Sequence, residues 1–396
     1  MLRPLLALVF LALLPISGTA APVSSAAMRA GLQSDVSQYL AARANAERIS
    51  AVSLSVYIPG EASNINVTAG RTRYGRGGAR ITPATLYQIG SNTKSFTAAA
   101  ILQLEAEGKL DINDTVGKWL PQYPAWKNVS IRRLLNMTSD IPTYDDVSSM
   151  LAAYAAKPHK YWSPQELVGV VYPKLRPNAG WLYSNTAYIM SGMIIERASG
   201  HSYTSEIRRR FLNNPAIGLK STYYESHVYP ASITDRMTSG YFFSTDPDNA
   251  ALAPLLGKDM RTLSLSWAQA AGGIVSTPED VTRWCRALYG NALLAPKQRA
   301  ELRELVSQTD ARPLKMTTAK EPRGFGLGVG EMYNPKMGRV WFYEGETLGY
   351  RMTYVYFPDS GVTFAAGINS QPTKSQDHVG QLMTAVYNTL HAAGKV

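Results

Sequence analysis

With 396 residues, 45% of them apolar and 17% charged, the chain has the make-up of an ordinary globular protein and material for one large domain or two. A lone cysteine, Cys285, excludes an intramolecular disulfide, so stability must come from the core, where its neighbours Trp284 and Ala287 place the thiol. The formal net charge of +11 suits loose association with anionic surfaces such as membranes or wall polymers.

Residues 1–21 carry one basic residue, Arg3, then the apolar run Leu5 to Leu14, then the small residues Ser17-Gly18-Thr19-Ala20-Ala21. That order is expected of a secretory signal peptide cleaved after Ala20 or Ala21, with an uncleaved anchor as the alternative. No later stretch reaches about 18 uninterrupted apolar residues, so the expectation is an exported, periplasmic or secreted chain that is soluble or loosely surface-associated. The tract from Arg71 to Arg80 is basic and glycine-rich but short, and reads as a solvated connection; nucleic acid is not an expected partner.

Residues 24–48 repeat Met28, Leu32, Val36, Tyr39 and Leu40 at helical spacing. The period then changes to two: Val52, Leu54, Val56 and Ile58 alternate with Ser53, Ser55 and Tyr57, and after Pro59-Gly60 come Ile65, Val67 and Ala69, which predicts a hairpin. A short strand at 86–89 leads to Ser91, whose helix should end near Gly108. Residues 110–263 read as helical segments, among them 131–135, 164–171, 187–198 and 204–212, with proline-punctuated connections. Strand character returns at 325–329, 339–343, 350–357 and 362–368, and a last helix is expected over 374–390. The sum is an α+β chain: an antiparallel sheet from residues 22–90 and 264–396, flanked by terminal helices, beside a mostly helical domain at 91–263, with the Ser91 helix at the interface.

Three stretches carry candidate chemistry. Ser91-Asn92-Thr93-Lys94 places a hydroxyl and an amine about 5 Å apart on one helix face, near enough for proton transfer; its structural alternative is an N-cap serine followed by a surface lysine. Gly180-Trp181-Leu182-Tyr183-Ser184-Asn185 offers a phenol and an amide just before a helix. A phenol beside an ammonium can have its pKa lowered and carry a proton, while an asparagine can hold both lysine and substrate; the alternatives are a packed aromatic and an N-cap. Tyr343-Glu344-Gly345-Glu346, between two C-terminal strands, has a glycine that lets a substrate approach the backbone, or else is a simple turn. The five histidines are scattered, and no metal site or cofactor is expected.

Taken together, Ser91-Asn92-Thr93-Lys94, Tyr183-Ser184-Asn185, the stretch Ile131 to Pro142 and Ala271-Gly272-Gly273 through Asp280 resemble the serine beta-lactamase and penicillin-binding superfamily, in the branch of class C beta-lactamases, D-alanyl-D-alanine carboxypeptidases and related esterases. The resemblance implies the beta-lactamase/transpeptidase-like fold, with Ser91 as acylated nucleophile, Lys94 as its activator, Tyr183 as proton shuttle and Asn185 positioning lysine and substrate. It further implies an oxyanion hole made by the backbone N–H groups of Ser91 and Glu346. The departure is the third motif, where the family has Lys-Thr-Gly or His-x-Gly and this chain has Tyr343-Glu344-Gly345. The missing cation weakens the case for a beta-lactamase; Arg351 is a candidate replacement if it faces the cleft. Glu344 and Glu346 would favour an amine-bearing substrate such as a D-amino acid amide, unless both face solvent. The leading expectation is an exported serine hydrolase of esters or peptide-like bonds acting on a small molecule or peptide, peptidoglycan-derived fragments included, with a class C-like beta-lactamase and a non-catalytic wall-peptide or penicillin sensor as the rivals.

Overall fold

The computed structural model describes residues 24–75, 77–290 and 293–396, so the segment read as a signal peptide and Arg76 of the basic loop lie outside the described residues. Helix α1 (Ser25–Arg43) begins where the Ser24 hydroxyl accepts a hydrogen bond from Ala27 N at 3.2 Å, and it buries Met28, Leu32, Val36 and Tyr39, the predicted stripe. Among the described residues the main sheet has nine antiparallel strands in two groups: β1 (Ala51–Tyr57) and β2 (Ile65–Gly70) near the start, then β3 (Leu305–Ser307), β4 (Pro313–Leu314), β5 (Arg323–Phe325), β6 (Gly330–Asn334), β7 (Gly338–Thr347), β8 (Tyr350–Tyr356) and β9 (Thr363–Ile368). Their order across the sheet is β2-β1-β9-β8-β7-β6-β5-β3-β4, so the two ends of the chain meet where β1 pairs with β9, Leu54 opposite Ala366.

Both faces of the central strands are buried. Val52, Leu54 and Val56 pack with Phe364 and Val355 under α1 and the C-terminal helix α5 (Val379–Ala392), which contributes Leu382, Val386 and Leu390. On the opposite face Ser53 and Ser55 are equally buried and hydrogen-bonded, Ser53 Oγ to the Tyr87 hydroxyl at 2.8 Å and Ser55 Oγ accepting from Asn64 Nδ2 at 2.9 Å. Helix α4 (Pro278–Tyr289) covers that face. The apolar-serine alternation therefore separates two buried layers, because a serine whose hydroxyl is satisfied is tolerated in a core.

Helix α2 (Thr93–Ala106) is buried on nearly every side, and its Ala98-Ala99-Ala100 run lets α3 (Asn185–Ser199) pack against it closely. Phe96 stacks on Trp284 at 3.6 Å between centroids, and the Trp284 indole donates to Ser95 Oγ at 2.8 Å, which locks α2 to α4. Cys285 is buried, as read. Strands β3, β4 and β6 were not expected, the last helix begins at Val379 instead of 374, and two expected strands change their bounds. The strand expected at 325–329 ends at Phe325, since Gly326 and Gly328 form a tight turn into β6. The strand expected at 339–343 runs on to Thr347, so Tyr343-Glu344-Gly345-Glu346 lies within β7 and the turn is Leu348-Gly349.

Arg351 does not face the cleft. Its side chain is fully buried between the sheet and the α1–α5 layer, where Nη2 meets Glu47 Oε2 at 2.8 Å, Nη1 meets Asp377 Oδ1 at 2.5 Å and Nε donates to the Ser370 carbonyl at 2.9 Å. The Tyr39 hydroxyl also donates to Glu47 Oε2, at 2.8 Å. The alternation along β8 agrees with this: Tyr350 and Met352 pack into the other layer, and a buried cation needs carboxylate partners, which Glu47 and Asp377 supply here. Arg351→Met should cost about 3–5 kcal/mol in urea unfolding by taking the guanidinium from the buried Glu47, whose remaining cation, Arg43, stands at 3.7 Å, and the added change Glu47→Leu should recover most of it. A loss below about 1 kcal/mol for the single variant would show that the network carries no stability.

Candidate active site

The chain enters α2 through a 3-10 turn, Gly90–Asn92, and Ser91 sits in this turn with its hydroxyl free of any capping role. Two glycines bring the turn against β7. Gly90 has φ +50°, and a Cβ there would fall 2.4 Å from the Glu346 carbonyl oxygen and 2.6 Å from Glu346 N; a Cβ on Gly345 would fall 2.0 Å from the Ile89 carbonyl. Only glycine permits two backbones to run this close. Asn92, unremarked in the sequence, ties the turn to the sheet by donating from Nδ2 to Ile89 O at 3.1 Å and Met352 O at 2.6 Å.

Around Ser91 the first two motifs converge. Lys94 Nζ lies 2.8 Å from Ser91 Oγ and donates to the Ala271 carbonyl at 2.8 Å, so the Ala-Gly-Gly stretch supplies the acceptor that aims the amine. The Tyr183 hydroxyl is 2.5 Å from Ser91 Oγ, and Lys94 Nζ stands 4.8 Å from the centre of the Tyr183 ring. Burial lowers the Lys94 amine to about 7, opposed in part by the Asp145 carboxylate, so near neutral pH a large fraction is the uncharged amine that can accept the serine proton. Tyr183 shifts oppositely to the sequence expectation: burial raises its pKa, and the neighbouring Ser91 and Tyr343 hydroxyls only moderate the rise. The phenol is therefore a neutral hydroxyl that passes a proton on, rather than a phenolate base.

Asn185 lies in the cleft wall, but its Nδ2 donates to Asp145 Oδ2 at 2.6 Å instead of reaching Lys94. It is not the N-cap of α3; Ser184 is, accepting from Ala187 N at 3.2 Å. Asn185 is only 9% exposed and its Oδ1 has no hydrogen-bond partner. Asp145 also accepts from the Thr143 hydroxyl. Sequence reasoning missed Asp145, because forty residues separate it from Asn185 and no spacing pattern links them.

The cavity in front of Ser91 measures about 440 Å³ and is bounded by Asp145, Tyr183, Asn185, Tyr343 and Glu346. Tyr343 belongs to an aromatic wall, with Phe325 5.9 Å away and Trp181 5.5 Å beyond that. Of the two acids expected either to line the cleft or to face solvent, Glu346 is exposed and Glu344 half-buried, and both border the cavity. Burial, then repulsion from Asp377 and Glu346, raises the Glu344 carboxyl to about 8. Among the described residues Glu344, Glu346 and Asp377 form the one acidic group compact enough to share a cation, with ligand atoms within 4.8 Å. Arg351 already pairs with Asp377 there, so a guanidinium supplies the compensating charge. The arrangement gives Ser91 both a proton acceptor and a proton donor within hydrogen-bond reach of its oxygen, which is what acyl transfer through a serine requires.

The model of the Beta-lactamase family matches residues 36–387. A penicillin-binding protein of Bacillus subtilis (strain 168) is 29% identical over 280 residues, 69% of this chain, and the chain spans only 58% of that relative's length. A D-stereospecific amidohydrolase from a Streptomyces species superposes with a TM-score of 0.73 at 25% identity, covering 91% of this chain and 98% of the other. The D-amino acid amidase of Ochrobactrum anthropi SV3 shares the fold, with a TM-score of 0.76 at 24% identity and coverage of 92% and 99%. With the family model spanning nearly the whole described chain and the serine, lysine and tyrosine meeting in one cleft, this protein belongs to the Beta-lactamase family of serine hydrolases.

Proposed function

We propose that this protein is an exported amidohydrolase that forms an acyl-serine on Ser91 and favours acyl groups bearing a free amine. The observation that carries the chemistry is the triangle at Ser91 Oγ, 2.8 Å from Lys94 Nζ and 2.5 Å from the Tyr183 hydroxyl. Ser91 Oγ bonds to the substrate carbonyl carbon while its proton moves to Lys94. The oxyanion rests on the backbone N–H groups of Ser91 and Glu346, which Gly90 and Gly345 allow to stand side by side; one such donor is worth about 3–4 kcal/mol. The C–N bond then breaks as the leaving nitrogen takes the Tyr183 proton, replaced from Lys94, and water releases the acyl group by the reverse sequence.

The preference for an amine rests on Asn185 Oδ1, unpartnered in the cleft wall, beside the Asp145 carboxylate. Two acceptors facing a cavity suit an ammonium group. The likeness to a D-stereospecific amidohydrolase at 25% identity supports an amide over an ester. The chemistry of the missing third-motif cation, now without Arg351 to replace it, weighs against a beta-lactamase. Export rests on the apolar leader at residues 1–21.

Intact mass after a fluorophosphonate probe should show one adduct on the wild type and none on Ser91→Ala; an unlabelled, folded wild type would sink the nucleophile. Since the neutral amine of Lys94 is the base, kcat/KM should climb about tenfold per pH unit below 7 and level off above it, whereas a flat profile between pH 5 and 9 would remove Lys94 from the role. Asp145→Asn should lower kcat/KM for an alanyl p-nitroanilide about 10- to 100-fold while sparing its N-acetylated twin, and equal losses on both would refute the ammonium contact.

A further inference from the structure

Tyr343 and Glu344 have a cavity on each side. Beyond the one containing Ser91, a second of about 440 Å³ opens toward α5, with Met332 and Met383 giving apolar surface and Trp181 and Arg323 among its lining. Its polar equipment is unusual. Trp181 Nε1 is buried without an acceptor and Glu344 Oε1 is buried without a partner. Among the described residues Arg323 makes no ion pair and its guanidinium no hydrogen bond, while remaining exposed at the end of β5. The cavity's other carboxylate, Glu331, is spoken for: it accepts from Thr317 N at 2.8 Å and Thr317 Oγ1 at 2.9 Å. A guanidinium and an indole N–H are thus two donors without an acceptor, and the Glu344 carboxyl that also lines the cavity has its pKa raised by burial and by the neighbouring carboxylates.

The direction of the reaction along β7 says which half of a substrate would come here. The leaving nitrogen must take a proton from Tyr183, and Tyr183 has the Tyr343 hydroxyl beside it, on the wall shared with the second cavity. Asp145 and Asn185 border only the first cavity, on the acyl side. Resting on the acyl-serine reading above, we propose that the second cavity is the leaving-group subsite, where Arg323 and Trp181 bind the free carboxylate of an amino acid or short peptide released from the amine-bearing acyl group. The reaction then balances as peptide hydrolysis: the acyl carbon passes from the leaving nitrogen to Ser91 Oγ and on to water oxygen, the nitrogen gains a proton, and the released amine carries its carboxylate unchanged. The simple amide, with ammonia leaving, would use the first cavity alone.

Three substrates sharing one alanyl group, made in both configurations, separate the possibilities: an alanyl dipeptide with a free C-terminus, its C-terminally amidated twin, and alanine amide. The wild type should favour the free-acid dipeptide in kcat/KM. Arg323→Met should cost that substrate about 10- to 100-fold, mainly through KM, and leave the other two within about twofold; Arg323→Lys should restore part of the loss. Arg323 is exposed on a strand end, so the variant should fold, and urea unfolding checks it. Equal effects on all three substrates, or none on the free acid, would overturn the subsite while turnover of alanine amide left the acyl-serine reading standing. No turnover of any of the three by the wild type would overturn both.

Discussion

The structure depends on taking one amine out of water. Lys94 is wholly buried in the first turn of α2, with Ala271 O and Ser91 Oγ as its polar company and the faces of Tyr183 and Tyr188 beside it at 4.8 and 5.5 Å. Such a site holds the amine at about 7 against an ordinary 10.5. Between those values the folded chain binds fewer protons than the unfolded chain, so the Lys94 contribution to stability improves as pH rises through that window and its burial penalty is complete below about 7. The surrounding architecture offsets this: α2 is packed on nearly all sides, and the stacked Phe96 and Trp284 hold the helix in place. A free amine for the serine near neutral pH is obtained at the expense of stability, which is the usual relation between a tuned site and its scaffold.

A second constraint, the approach of two backbones, sets where a carbonyl oxygen could sit. The Gly90 turn and β7 are nearer than any side chain would allow, and Asn92 clamps the same turn to β8 through Met352 O. Extending β7 to Thr347 keeps Glu346 in a straight strand beside that turn. The turn that reverses the chain comes only afterwards, at Leu348-Gly349, where it does not disturb the edge.

Much of this was legible in residue patterns, and the failures share a cause. The α1 stripe, the hairpin of β1 and β2, the last two strands β8 and β9 and the meeting of Ser91, Lys94 and Tyr183 were all readable, because period and motif order are local or repeated signals. Three features were not. Arg351 was open to two faces, and only the tertiary position of Glu47 and Asp377 decides between them. The pKa of Tyr183 depends on how completely it is desolvated, which no neighbour in sequence reports. Asp145 meets Asn185 across two separate segments. Each of these is a long-range electrostatic fact, and a linear pattern carries little information about those.

The charge layout along β7 follows from the same strand alternation. Glu344 and Glu346 are two residues apart and so share one face, where Asp377 stands within 4.8 Å of both. Three carboxylates that near one another cannot all ionise cheaply, and Arg351, placed by its own pairing with Glu47, relieves only part of the repulsion. The remainder falls on Glu344 and Glu346 together, and burial with the mutual repulsion raises both carboxyls above the ordinary range. A group that would otherwise place a full negative charge between the two cavities is thereby shifted toward its neutral form. The acidic character of the site then rests on Asp145 on one side, and Arg323 stands as the cation on the other. The strand that replaces the family's third-motif cation with Tyr343-Glu344 therefore retains a polarity along its edge, negative toward the acyl side and positive toward the leaving side, and that polarity suits a substrate with an amine at one end and a carboxylate at the other.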